Sequence, residues 1–381
     1  MDIARSEEQL LLFETATRYL ADHYDFGQAQ AALHRDRPFD ATHWRSFADM
    51  GWLALPISAG HGGLGGDMAD LGALMEAFGG GQVIEPYVGA ILLAGGLVNA
   101  VGSEAQKQAL LPGLADGSLM LAAALLERGA QDRPSRVATR ALRTTHGWRI
   151  SGAKILAEGG HAAHRLIISA RLAGDRDDES GIGLFVVNPD SAGLSRRDHG
   201  LLGGGVVSDF DFDGVDLPAD ALLGVGEDAC ATIAAVTDRA IVAQAWQVVG
   251  RSQALLDATI DYTRMRRQFG RPLSANQALR HRVADMHVQL IEMRALAASA
   301  TVQMDGTDTA RARMASALKF KAAHAGRMIA EGAIQFHGGI GMTDDLPLGR
   351  HYRAILAFAV REGSPDMHLR RYGALSFAGE Q

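Results

Sequence analysis

Two stretches of the chain carry residue types and spacings suited to chemistry. The first is Gln335-Phe336-His337-Gly338-Gly339-Ile340-Gly341-Met342-Thr343, followed by Pro347-Leu348-Gly349-Arg350-His351-Tyr352-Arg353. It reads as an amphipathic helix that runs into a glycine turn and then into a basic, tyrosine-bearing segment. Glycines carry no Cβ, so backbone N–H groups there can approach an anion closely. The second is Arg266-Arg267-Gln268-Phe269-Gly270-Arg271-Pro272, with Gln277 shortly after. A glycine helix stop would account for Gly338-Gly339 alone. Basic residues answering a helix dipole would account for Arg266 to Gly270 alone. The first stretch, with its glutamine beside two glycines, suits an anionic ligand.

Three tracts must position them. Residues 6 to 115 read as helical. Ser6 is a good N-cap with Glu7, Glu8 and Gln9 behind it, and Leu10, Phe13, Thr17 and Leu20 recur at helical spacing. Gly60 to Gly66 is a loop, and Ser103 caps a further helix. Residues 120 to 225 change character. Trp148-Arg149-Ile150, Arg165 to Arg171 and Gly183 to Val187 are β-rich runs bounded by Asn, Asp, Gly and Pro. Asp209-Phe210-Asp211-Phe212-Asp213 alternates as a half-buried strand does. From Asp228 the pattern is helical again, over Ala229 to Thr263, Asn276 to Gln303, Thr309 to His337 and a last stretch near Asp366 to Leu375. Four such helices suggest a bundle.

Composition narrows the class. The 381 residues are 47% hydrophobic and 21% charged, as in a globular protein of two or three domains. The net charge of −7, without a lysine/arginine block, argues against nucleic-acid binding. A single cysteine, Cys230, excludes an internal disulfide and a Cys-x-x-Cys metal or redox site, and no metal is expected. Cys230 reads as a packed apolar residue rather than a nucleophile, since neither neighbour is basic. The acidic start Met1-Asp2-Ile3-Ala4-Arg5-Ser6-Glu7-Glu8 lacks a signal peptide's basic and apolar regions. The longest nearly apolar run, Val88 to Val98, is too short for a bilayer. A cytoplasmic protein without membrane contact is the expectation.

The order of helices, strands and helical bundle, with the motifs above, resembles the acyl-CoA dehydrogenase family of flavoenzymes. The resemblance covers nearly the whole chain. It is strongest from Asp228 to Arg371 and weakest between Leu125 and Gly160. It implies an α+β fold: an N-terminal helical domain over 1–118, a middle antiparallel β domain over 119–226 and a C-terminal four-helix bundle over 227–381. It implies FAD as cofactor and an acyl-CoA thioester as substrate. In the family a carboxylate removes the α-proton and the β-hydride passes to flavin N5, so the base must act in a dry site. Electron-transferring flavoprotein is the acceptor the family implies. Arg266 and Phe269, with Gln277, would reach a neighbouring subunit's FAD, and Gln335, Gly338 and Gly339 would cradle its adenosine and pyrophosphate end. His337 reads as packed or solvent-facing rather than catalytic. Glu362, in Arg361-Glu362-Gly363-Ser364, matches the family's glutamate base, although Arg361 replaces a tyrosine and lowers a neighbouring carboxylate's basicity. Asp238, in Thr237-Asp238-Arg239, lies where other branches keep their base, and Arg239 resembles a residue that supports substrate.

The ring-side half departs from the family. Leu126-Glu127-Arg128-Gly129-Ala130-Gln131-Asp132-Arg133 has lost the threonine, second glycine and serine of the usual segment. Ile155-Leu156-Ala157-Glu158 stands where tryptophan and threonine should follow, and leucine cannot stack as an indole does. In this family each FAD crosses a dimer interface. The chain therefore looks like a dehydrogenase subunit, in a self-associated dimer or tetramer or in an α2β2 heterotetramer of the branch acting on steroid side-chain or other bulky CoA esters. A catalytically silent subunit that completes a partner's FAD site is the alternative. A flavin monooxygenase on the same fold is the third reading, disfavoured by Glu362-Gly363 and the intact motifs.

Overall fold

The computed structural model describes residues 5–25, 41–130, 132–133, 135–224 and 228–377. Met1 to Ala4, read above for targeting, and Gln131 of the ring-side segment lie outside the described residues.

The first tract is helical. Helix α1, Glu7–His23, starts in a full capping box: Ser6 Oγ accepts from Gln9 N–H and the Gln9 side chain accepts from Ser6 N–H. Helix α2 is Ala41–Asp49, and α3 is Met68–Gly80, capped in the same reciprocal way by Asp67 and Asp70. The apolar run from Val88 is a buried π-helical segment, Val88–Gly95, continuing into α4, Gly96–Val101. Helix α5, Glu104–Ala115, closes the tract.

The middle tract is a seven-stranded sheet. Its strands are β1 Leu121–Ala124, β2 Arg140–Thr144, β3 Gly147–Glu158, β4 Arg165–Arg171, β5 Ile182–Val187, β6 Leu194–Gly200 and β7 Val206–Pro218. They order as β1-β4-β2-β3-β7-β6, with β5 on β4. The sheet is not purely antiparallel: β1 runs parallel to β4, with Leu121 opposite Arg165. The sequence missed β1 because Leu-Ala-Ala-Ala carries no strand propensity. It missed β6 because that edge strand is polar and almost entirely exposed. Alternation in the Asp209–Asp213 run holds only in part. Phe210 and Phe212 are buried and Asp211 and Asp213 are exposed, but Asp209 is buried too.

The last tract packs long helices side by side: α6 Cys230–Met265, α7 Gln277–Gln303 and α8 Asp308–His337. The fourth element is split. Helix α9, Leu348–Val360, was read from sequence only as a basic segment, and α10, Pro365–Phe377, follows a short break. Gly338, at φ 66°, ends α8, a backbone conformation costly for other residues. Helices α3 and α6 cross at backbone contact: a Cβ on Gly79 would lie 2.0 Å from the Gln247 carbonyl oxygen, and one on Gly250 2.0 Å from that of Glu76. Only glycine permits that approach, and it fixes the polar face of α6 against the N-terminal helices. Among the described residues no helix is long and apolar enough to cross a membrane. Nor do three or more histidine, cysteine, aspartate or glutamate side chains gather as a metal site among them.

Candidate functional site

One end of the bundle gathers the first two motifs. Helix α6 stops at Arg266, where a two-stranded ribbon, β8 Arg267–Gln268 and β9 Arg271–Pro272, turns back. At its tip Phe269 has φ 51° and is fully exposed. Tyr262, one turn before Arg266, stacks on His337 with ring centroids 4.3 Å apart. That stack joins the ribbon to the glycine turn Gly338–Met342. His337 is itself packed: it is buried, and its Nδ1 donates to the Ala333 carbonyl at 2.8 Å. Gln277, Gln335, Gly338 and Gly339 are all exposed. A Cβ on either Gly338 or Gly339 would meet nothing within 4 Å, so the turn faces open space. Met265 and Met342 add exposed apolar surface beside it.

The two candidate bases lie deeper and differ in surroundings. Glu362 sits in the break between α9 and α10 at φ 49°, a strained conformation for a non-glycine residue. Gln244 Nε2 donates to its carboxylate at 3.2 Å, and its backbone carbonyl accepts from His368 Nε2 at 2.9 Å. Behind the break, buried Lys319 donates to the carbonyls of Phe358 and Arg361, the latter at 2.7 Å. Burial draws the Lys319 ammonium down to about 7. Ser364 caps α10, and Asp132 of the sheet tract accepts from Ser364 N–H and Oγ–H at 2.8 and 3.0 Å.

Asp238 is more deeply buried and already engaged. Arg371 holds both carboxylate oxygens, at 2.5 and 2.9 Å, and Arg311 stands 3.9 Å away. A carboxylate in a bidentate guanidinium pair is stabilised in its charged form and makes a weak proton acceptor. Neighbouring Arg239 donates to Asp305 at 2.9 Å and to the Met304 carbonyl. It lines a cleft of about 500 Å³ between the π-helical segment and the start of α6.

The ring-side segments are folded tightly onto the protein itself. Glu127 accepts from the backbone N–H groups of Ala138 and Thr139 and pairs with fully buried Lys154 at 2.7 Å. Burial pulls the Lys154 ammonium down to about 8 although Glu127 opposes the shift. A bulge between Lys154 and Ala157 puts Leu156 at φ 56° and leaves its side chain 46% exposed. Two residues on, Glu158 pairs with Arg361 across the gap between β3 and the end of α9. Burial opposes the Arg361 charge, but Glu158 and then Glu362 outweigh it.

A half-open pocket of about 70 Å³ is lined in part by this pair. Gln244, Gln247 and Arg251 line it from α6, Val83 to Glu85 and Val88 from the π-helical side. The sequence reading passed over Gln244, Gln247, Arg251, Lys319 and Arg371. A usable signal was present in three of them, since polar residues at i, i+3 and i+7 interrupt an otherwise apolar face of α6.

Family models place the chain. The acyl-CoA dehydrogenase N-terminal domain matches residues 6–118, and the acyl-CoA dehydrogenase C-terminal domain matches residues 236–374. A probable acyl-CoA dehydrogenase of Mycobacterium bovis, fadE25, is 30% identical over 69% of this chain and 68% of its own length. The chain belongs to the acyl-CoA dehydrogenase family. Acyl-CoA dehydrogenase fadE12 of Mycobacterium tuberculosis is 28% identical over 89% of this chain and 88% of that protein. Among solved structures, a variant of the Tcur3481-Tcur3483 steroid ACAD is 29% identical with a TM-score of 0.86, over 98% of this chain and 99% of that one. Acyl-CoA dehydrogenases are flavoprotein oxidoreductases, and FAD is the cofactor of this chain as of its family. The fit to FAD is uneven. The exposed glycine turn, Arg266 and Phe269 suit an anionic, partly aromatic ligand. Leu156 and the Glu158–Arg361 pair do not suit a flavin ring.

Proposed function

We propose that this chain is one of two unlike subunits of an acyl-CoA dehydrogenase and completes the FAD site of a homologous partner. The complex carries out α,β-dehydrogenation of an acyl-CoA thioester, with bound FAD supplying the hydride acceptor. The observation that supports this reading is the Glu158–Arg361 pair on the ring side. A flavin ring needs an apolar stacking wall, and an exposed leucine followed by a charged pair supplies none. By contrast Arg266, Phe269, Gln277, Gln335, Gly338 and Gly339 are exposed at one end of the bundle, where another subunit can reach them. Similarity to a steroid ACAD supports a bulky acyl group, held by the partner. Electron-transferring flavoprotein is the proposed acceptor, an α2β2 tetramer the proposed assembly, and 1–118, 119–226 and 227–381 its domains. The visible spectrum tests the reading. The chain purified alone is expected to be colourless, and co-expression with its partner to give one FAD per pair. A stoichiometric yellow FAD on the isolated chain would sink it.

A second reading is a self-sufficient dehydrogenase with Glu362 as base. The Gln244–Glu362 contact beside the pocket that Gln244 lines favours it. Asp238 ranks below Glu362 because Arg371 already binds both its oxygens. Arg239 keeps a substrate-supporting role through the larger cleft it lines. Acyl-CoA-dependent dye reduction by the isolated chain, abolished in Glu362→Gln and retained in Asp238→Asn, would establish this reading over the first.

A further inference from the structure

The loop between α2 and α3 brings a serine, a histidine and a carboxylate into one hydrogen-bonded row. His61 ends the short helical turn Ala59–His61, and Glu104 opens α5. His61 Nε2 lies 3.0 Å from Glu104 Oε1, and its Nδ1 lies 2.7 Å from Ser58 Oγ. A carboxylate only accepts, so Nε2 carries the ring proton and Nδ1 is left to accept from the Ser58 hydroxyl. The bond from His61 holds the Glu104 carboxyl below its ordinary range. Ser58 stands at the cap position of the turn, yet its hydroxyl makes no capping bond to the backbone. It is committed to the imidazole instead. The backbone around it is rigid. His61 N–H and Gly63 N–H both donate to the Ser58 carbonyl, at 3.0 and 3.1 Å, and Gly65 N–H donates to that of Ile57 at 2.8 Å. A Cβ on Gly63 would lie 1.9 Å from the Ile57 carbonyl oxygen, so only glycine closes the loop this tightly. The His61 side chain is 13% exposed, and Glu104 lies open at the rim.

We propose that Ser58, His61 and Glu104 act as nucleophile, base and orienting carboxylate in the hydrolysis of small acyl esters or thioesters. Such rows are recognised by geometry and role rather than by order in the chain. Ser58 is also placed to meet an acyl group. Ile57 before it, and Asn99, whose Oδ1 is 3.5 Å from the Ser58 hydroxyl, both line the cleft of about 500 Å³ that Arg239 and Arg311 also line. The reaction balances without a redox partner. Ser58 Oγ bonds to the acyl carbon as His61 Nδ1 takes the hydroxyl proton, and Nε2–H keeps its bond to Glu104. The tetrahedral oxyanion then collapses, the bond to sulfur or alkoxide oxygen breaks, and the leaving group takes the proton from His61. Water repeats the sequence on the acyl-serine, releases the acid and restores Ser58. A half-turn of the Asn99 amide presents its N–H₂ group to the oxyanion, a donor role open to asparagine side chains. The activity needs no flavin and does not depend on which subunit holds one.

Hydrolysis by the purified protein tests this, with p-nitrophenyl butanoate and butanoyl-CoA as probes, read by nitrophenolate absorbance and by thiol release. Turnover is expected to fall ~10³-fold or more in Ser58→Ala and in His61→Ala, and by less in Glu104→Gln. A fluorophosphonate should attach to Ser58, as read from the mass of the peptide that holds it, and His61→Ala should abolish the adduct although Ser58 remains. That readout, with a near wild-type unfolding midpoint for Ser58→Ala, which removes a single oxygen, separates chemistry from packing. Turnover of the ester alone, the thioester alone or both fixes the leaving group, and each supports the proposal when Ser58→Ala abolishes it. Turnover of neither probe by the wild-type protein, turnover unchanged in Ser58→Ala, or a fluorophosphonate reaction that leaves Ser58 unlabelled overturns it. None of these outcomes bears on the FAD content of the isolated chain or on its dye reduction.

Discussion

Arg361 reaches from the break after α9 to Glu158 at the end of β3, and the pair clamps the helical bundle onto the sheet. Gly89 makes the approach possible. A Cβ there would sit 2.7 Å from the Glu158 Cβ and its carbonyl oxygen. The bond also places a cation beside Glu362, with Arg361 Nε 3.7 Å from its carboxylate. One interaction thus closes the ring side and sets the charge environment of the candidate base.

Breaking that pair one residue at a time should destabilise the protein. Arg361→Ala leaves part-buried Glu158 unmatched, and Glu158→Ala leaves Arg361 only the more distant Glu362, so a loss on the order of 1–3 kcal/mol is expected, larger for Arg361→Ala. The double variant should lose less than the sum. Urea unfolding of the four proteins gives the coupling energy. Strict additivity would mean the pair contributes nothing.

The exposed end of the bundle should control flavin retention by the complex rather than the fold of this chain. Arg266→Ala and Gln335→Ala are expected to lower FAD per assembled pair several-fold. The unfolding midpoint of the isolated chain should stay within about 0.5 kcal/mol, because both side chains are exposed. Flavin absorbance after gel filtration, with and without the partner, reads the first. Full flavin retention in both variants would remove these residues from the site.

Lys319 should impose a pH dependence on stability. Its folded value of about 7 lies below the unfolded one. Between those values the unfolded chain binds more protons, so stability rises as pH climbs from about 7 toward 10 and is lowest below 7. Lys319→Met should flatten that rise by on the order of 1–3 kcal/mol. Urea midpoints of both proteins at pH 6.5 and 9.5 check it, and Lys154 remains in both as a shared background. Equal slopes would show that Lys319 titrates normally.

Asp238 is expected to behave as a structural anion. Removing its partner in Arg371→Leu leaves a buried carboxylate beside only the more distant Arg311 and should cost about 3 kcal/mol. Asp238→Asn should also destabilise, by less, since an amide still hydrogen-bonds the guanidinium. Denaturant unfolding ranks the two, and a wild-type midpoint for Arg371→Leu would contradict the pairing.

The helical tracts, the strands rich in valine, isoleucine and phenylalanine, and the two glycine and arginine motifs were legible because each is a local pattern. Capping, periodicity and turn chemistry act over a few residues, so Ser6, Ser103 and Gly338 could be read where they stand. Strands β1 and β6 were not legible, because one is an alanine run held by its neighbour and the other a polar edge. Helix α9 was hidden for a related reason: two glycines and several cations preceded its apolar face.

By itself, the sequence determined the family and the order of helices and sheet. The tertiary structure decided which charged residues meet. Glu158 and Arg361 are 203 positions apart, and only packing of β3 against the end of α9 makes them partners. The same holds for Asp238, whose Arg371 lies 133 positions away. Whether a charged side chain serves as base, brace or ligand anchor depends on its counter-charge and burial, and both are set by contacts that are distant in sequence.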